Sequence, residues 1–431
     1  DDGTNKDSGN NVNWDFVEAG DRYWVASSSG NWNEPNNWST SSGDTPPATV
    51  PTSSNKAIFD GGGIGNCNID VNGSVTDAVI YSTCTATLSI NSGKSLTTSG
   101  SFEIAGGTFT TNGQALNIGL YNQTGGIFNA GASTITCSGN YSITGGTFNA
   151  NTSLITLDAT NGDLTLTSGG YSLNNLLFKN TGSTARTITL GSGTLTFNGY
   201  FYVQAGGTGD MTVTAATNNP TINITGNLDY TGTGTGTESI SMGNGTWTVS
   251  GKIIDFGGGT VEASSSTFVL NGSSTQTLTM DGNNLNILQI TNSSSNGVYF
   301  ANNLTVSTFT ATTPNTRLYF CGGSTFTFTN IELDGQAAGS RIVMRSTSTA
   351  TAWYLIVTGM QSVSYVDVQY SNASGGNTID ADDGTNKDSG NNVNWDFVEP
   401  GDRYWVASSA GNWNEPNNLS LIHISEPTRP Y

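Results

Sequence analysis

The sequence predicts an all-β protein, a β-solenoid with about three short strands per coil. Three observations carry this. A glycine-cornered motif returns along the chain, apolar and hydroxylated residues alternate two by two, and helical periodicity is missing. The motif holds Gly100, Gly106, Gly107 and Phe109, then Gly119, Gly125, Gly126 and Phe128, then Gly139, Gly145, Gly146 and Phe148. A looser copy runs from Gly162 to Tyr171, so the successive starts lie 19, 20 and 23 residues apart.

Alternation supplies the strands. Leu164 and Leu166 flank Thr165, Ile188 and Leu190 flank Thr189, and Leu195 and Phe197 flank Thr196. In a strand this puts apolar side chains on one face and threonine on the other. Coils then stack Phe109, Phe128 and Phe148 into an interior ladder, and the paired glycines turn the corners, where φ > 0 or close backbone approach is needed. Repeated hairpins in a sandwich explain the alternation but not the regular corner. Beyond residue 210 the period blurs, although Ile222, Trp247, Phe268, Leu278, Leu304 and Phe326 keep the alternation. At about 20 residues and ~4.8 Å per coil, the stretch would form a rod of about 80 Å.

Composition agrees. Glycine is 56 of 431 residues and charged residues are 10%, while 34% hydrophobic residues argue against disorder. The net charge of −19, with only 13 Lys and Arg, removes the basic face that nucleic-acid binding needs. It suits a protein that is soluble outside the cell. No run of about 20 apolar residues can span a membrane. The four cysteines form no short-spaced zinc or redox pair. Cys67 and Cys84 lie nearly one coil apart, so bridging and burial as reduced apolar side chains are both open.

A longer repeat frames the solenoid. Residues 1–37 recur as 382–418, an offset of 381, with only Ala19/Pro400 and Ser29/Ala410 differing. The expected organisation is the tail of a preceding unit (1–20), a Trp-rich junction or cap (21–44), the solenoid (45–380), the end of the unit (381–401) and the start of the next (402–418). The match stops after Asn418. Residues 419–431 resemble the in-frame translation of a sequencing-library adapter, an artefact expected of a metagenomic fragment. They contain His423, the only histidine of the chain.

The junction holds Trp14, Trp24, Trp32 and Trp38, and its second copy Trp395, Trp405 and Trp413. Solenoid ends expose strand edges and core, so a bulky cap is expected there. Exposed tryptophans also stack on sugars, which makes Trp24, Trp32 and Trp38 a candidate carbohydrate-binding set. Asp382, Asp383, Asn386 and Asp388 offer four oxygen-bearing side chains in a glycine-containing loop, the ligand type that hard Ca²⁺ prefers. Spacing and the missing bidentate Glu depart from an EF-hand, and a solvated acidic loop is the competing reading.

Tyr23 to Val25, Gly30 to Trp32, Asn37 to Ser39, Val50 to Thr52 and Phe59-Asp60 resemble the opening of repeat units in giant bacterial surface proteins. Val363 to Val368, Gly390 to Asn392 and Trp395 to Phe397 are similar to their closing. The resemblance implies a right-handed parallel β-helix, a place outside the cell or on its surface, and an adhesin or stalk role. Its partners would be other repeat units, a surface polysaccharide, or a receptor on a host or neighbouring cell. Some β-helix proteins act on polysaccharides. Here, however, Asp382 and Asp383 are adjacent and point to opposite faces of a strand, while paired glycosidase carboxylates must flank one cleft. The Gly-His-Gly signature of polygalacturonase-like enzymes is absent, and residues 41–380 contain eight basic residues, none beside an acidic cluster. The expectation is a non-catalytic scaffold without a cofactor, calcium apart. A polysaccharide-binding or polysaccharide-degrading protein and a subunit of an extracellular filament are the alternatives.

Overall fold

In a computed structural model the described residues are 20–397, together with 404–405, 410 and 419–420. Trp14, Trp413, the tail at 1–19 and the adapter-like residues 421–431 lie outside them. The described residues contain no α-helix, and their strands pair almost throughout in parallel, as a β-solenoid of about fifteen turns counted over two compact units. Among the described residues no helix is long and apolar enough to cross a membrane.

The first unit comprises residues 1–225 and 230–241. Its chain visits three sheets in rotation, which is what makes a coil. Ser101–Ile104, Thr108–Thr110 and Ala115–Ile118 form one turn; Leu120–Gln123, Ile127–Asn129 and Thr134–Cys137 form the next. Each strand pairs with its counterpart one turn on: Phe109 with Phe128, Phe128 with Phe148, Leu116 with Ile135. The strands alternate, so in-register stacking keeps one face of each turned inward, and Phe102, Phe109, Leu116, Tyr121, Phe128 and Ile135 are all buried there. The expected ladder is present, with Phe109 over Phe128 at 5.6 Å and Phe128 over Phe148 at 5.3 Å between ring centroids. Phe102, Tyr121 and Tyr141 build a second ladder beside it, whose rings meet the first set edge-on.

The glycine corners are used in both expected ways. Gly107, Gly126 and Gly146 have φ of 56°, 60° and 84°. A Cβ on Gly106, Gly125 or Gly145 would sit 2.2–2.4 Å from a carbonyl oxygen of the previous turn.

The second unit comprises residues 226–229 and 242–431. Here the strands lengthen, to eight residues in Leu304–Ala311 and ten in Thr325–Asp334. One long strand takes the place of two short ones and the corner between them. Before that, the corners at 215–220 and 263–266 have already lost their glycines, and the period blurs in the sequence there. The interior stays aromatic: Phe300 stacks on Phe320 at 5.0 Å, and Phe320 on Trp353 at 4.0 Å.

All four cysteines are free; Cys67, Cys84 and Cys137 are buried and Cys321 is half-buried. Burial, then the charges of Asp70 and Cys84, push the Cys67 thiol well above its ordinary range. Thiolate is the reactive form. Iodoacetamide at neutral pH should therefore leave Cys67 unmodified in the folded chain and alkylate it in urea, as read by peptide mass spectrometry.

Candidate functional site

In the second unit, Thr246–Val249, Thr267–Leu270, Asn284–Ile290, Leu304–Ala311 and Thr325–Asp334 pair in parallel. Trp247, Phe268, Leu288, Phe309 and Ile331 occupy one register position and are all buried. Their burial sets the direction of the residues on either side, which must point outward. One outward column is Thr246, Thr267, Ile287, Thr308 and Asn330; the other is Thr248, Val269, Gln289, Thr310 and Glu332. Positions within a column repeat at ~4.8 Å, and the columns stand about 6.6 Å apart.

At one end the face deepens into a groove. The chain leaves Trp353–Val357 and returns to the same partner strand as Gln361–Ser364. The three residues between fold over Asn330. Gly359 N–H donates to Thr329 O at 2.7 Å, and Met360 N–H to Asn330 Oδ1 at 2.9 Å. Glycine is required at 359, because a Cβ would come within 2.6 Å of Asn330 Oδ1. The result is a cavity of about 310 Å³ lined by Thr308, Asn330, Ile331, Glu332, Met360, Gln361 and Ser362. Met360 stands on its rim, 76% exposed.

The face differs chemically from the outward amide column of the first unit. There Asn149 Nδ2 donates to Asn129 Oδ1 at 2.8 Å, and Asn129 Nδ2 to Thr110 Oγ1 at 3.2 Å. That ladder is spent on itself. The side-chain hydroxyls of Thr308 and Thr310, the amide of Gln289 and the Nδ2 of Asn330 make no hydrogen bond among the described residues. Glu332 is the sole charged side chain of the two columns. The face can hydrogen-bond a ligand of matching repeat. It offers no nucleophile paired with a base.

The calcium-loop residues are only partly brought together. Asp383 Oδ1 accepts from Asn386 Nδ2 at 2.9 Å and from Thr385 N–H at 2.9 Å. Asn386 Oδ1 is taken by Val366 N–H at 2.9 Å, and its Nδ2 also reaches Val363 O and Ala381 O. Asp388 turns away to Gly390 N–H and Asn392 Nδ2, while Asp382 is half-buried. Among the described residues no three His, Cys, Asp or Glu side chains converge on a metal-sized site.

The loop is braced to the solenoid instead. Lys387 reaches Asp367 Oδ2 at 3.4 Å, Arg345 Nη2 donates to Asp367 Oδ1 at 2.8 Å, and Ser389 Oγ donates to Oδ1 at 2.6 Å. Burial pushes the Asp367 carboxyl up, but the Ser389 hydroxyl, Arg345 and Lys387 outweigh it and hold it below its ordinary value. The lowered group stabilises the folded state fully above the unfolded Asp value of about 3.9, and this is lost as pH falls through the folded value. Acidification from about pH 5 to pH 2 should therefore lower the protection of the Lys387–Asp388 amides relative to the intrinsic exchange rate at each pH. Asp367→Asn should remove most of that pH dependence.

The tryptophans occupy the other unit. Trp38–Ser39 is the outermost strand of its sheet, pairing antiparallel with Arg22–Trp24, and Gly30–Asn31 is outermost in the next. Trp24, Trp32 and Trp38 are 0%, 1% and 0% exposed. Trp38 packs edge-on against Trp24 at 5.1 Å and Trp32 at 4.9 Å, with Phe59 beneath. Trp24 Nε1 donates to Gly65 O and Trp38 Nε1 to Trp32 O. A sugar needs an open ring face, and these indoles present none. They are packing residues over the ends of the two sheets. In the second copy Trp405 pairs antiparallel with Leu419, in the register of Trp24 with Trp38.

The threonine face was not singled out by sequence reasoning, although four of its five strands were, Asn284–Ile290 being the exception. The signal is a hydroxyl on each side of a buried aromatic, as in Thr246-Trp247-Thr248 and Thr308-Phe309-Thr310. Compared with protein-family models, curated proteins and solved structures, the chain matches none.

Proposed function

We propose that the chain is a non-catalytic tandem-repeat unit of a secreted or cell-surface adhesin or stalk protein, in which the β-solenoid is an elongated scaffold. One observation carries the reading. Residues 1–37 return at 382–418 with only two changes, Ala19/Pro400 and Ser29/Ala410. Near-identity at so long a period is the mark of a large unit copied in tandem.

The acidic, weakly charged surface supports an extracellular place. The braced closing loop supports a joint that holds its geometry under load.

The test is electron microscopy of the full chain beside a version carrying one further copy of residues 38–418. The scaffold reading expects rods that gain about 80 Å per added copy, near the length of the stacked coils. Unlinked chains that join end to end with rising concentration would instead favour the filament-subunit reading. Turnover in a polysaccharide screen would favour the degrading one.

A further inference from the structure

We infer that the threonine and amide face of the second unit, with the groove under Met360, is a docking strip for one extended neutral polysaccharide chain lying along the stack. The inference rests on the adhesin reading and names what such a protein would hold.

Charge selects the class of ligand. The chain carries −19, and the two columns contain no Lys or Arg, so an anionic glycan or a nucleic acid would meet uncompensated repulsion. Chemistry narrows it further. Thr308, Thr310, Gln289 and Asn330 present unspent hydroxyl and amide groups, the partners a polyhydroxylated chain requires. Threonine methyls between them, with Ile331 and Met360 at the groove, meet the C–H faces of sugar rings.

Spacing fixes the direction. Positions within a column repeat at ~4.8 Å, and each coil of the strip carries at least one outward hydroxyl or amide, in order Thr246, Thr267, Gln289, Thr308 and Asn330, so a chain lying along the stack meets a polar partner at every coil. The strands are parallel and in register, so the array is rigid before the ligand arrives and loses little entropy on binding. The groove ends the strip on one side and supplies a concave contact.

Native affinity electrophoresis of the full chain tests this, with hydroxyethyl cellulose, a β-1,3-glucan, a galactomannan and polygalacturonate as probes. At least one neutral polymer should retard the protein, and polygalacturonate should not. Thr308→Val with Thr310→Val keeps the β-branched shape and removes two hydroxyls, and should weaken retardation about tenfold. The same exchange at Thr87 and Thr108, which face outward from another sheet, should leave it unchanged. The inference falls if no neutral polymer retards the chain, if only polygalacturonate does, or if the Thr308/Thr310 variant binds as well as the parent. It falls also if the chain binds no glycan but inhibits ice recrystallisation, which would make the face an ordered-water surface. None of these outcomes touches the growth of rods with added copies, so failure here and failure of the scaffold reading are separable.

Discussion

Trp38→Ala should destabilise the opening coils by about 3–5 kcal/mol, the usual cost of emptying a buried tryptophan site. Trp38 is fully buried, bridges Trp24 and Trp32, and covers Phe59. Truncation would also release the carbonyl of Trp32 from its Nε1 donor. In a solenoid each turn touches only its neighbours, so the damage should begin locally. Hydrogen exchange should speed in Arg22–Trp24 and Ala57–Phe59 while Leu164–Thr167 keeps its protection. Trp38→Leu should cost less than the alanine change, because an apolar side chain still fills part of the site. Uniform loss of protection along the whole first unit would contradict nearest-neighbour coupling.

Gly126→Val should be the most damaging change at a corner. Its φ is +60°, a region that β-branched residues essentially avoid, and left-handed strain alone costs about 1–2 kcal/mol. A Cβ there would also lie 2.2 Å from Gly106 O, in the turn before. Neither backbone can yield without breaking the in-register pairing of Phe109 with Phe128. The combined loss should be about 3 kcal/mol or more, read as a fall in the urea midpoint. Gly113 separates the two causes. Its φ is +76° but nothing lies within 4 Å of a Cβ, so Gly113→Ala should cost only about 1 kcal/mol.

The solenoid was legible where the coil is short and closed by glycine. Gly106-Gly107, Gly125-Gly126 and Gly145-Gly146 mark one physical necessity at one position per turn, so their spacing displays the stack directly. Legibility faded where the corners at 215–220 and 263–266 lost their glycines, and ended where Thr325–Asp334 came to span two faces, since a continuous strand needs no corner residue.

The site residues divide along the same line. Tryptophan count alone could not tell a sugar platform from a packed cap. That depends on whether the rings face water or each other, and Phe59, distant in sequence from Trp32, decides it. Asp382 to Asp388 looked like a ligand set because sequence shows which oxygens are near, but not that Val366 N–H already holds Asn386. The threonine face was hidden differently. Successive members lie 20 to 22 residues apart, but Met360 lies 30 beyond Asn330, after the extra strand Trp353–Val357. Only the pairing register aligns them.

A crystal structure of the full chain tests the central claim, a parallel in-register solenoid built for tandem extension, most directly. The account predicts Phe109, Phe128 and Phe148 in a single interior column on three parallel strands. It also predicts Thr246, Thr267 and Thr308 in a single outward one. Antiparallel hairpins joining Ser101–Ile104, Thr108–Thr110 and Ala115–Ile118 into a sandwich would contradict it, and the coils, the face and the stalk would fall together.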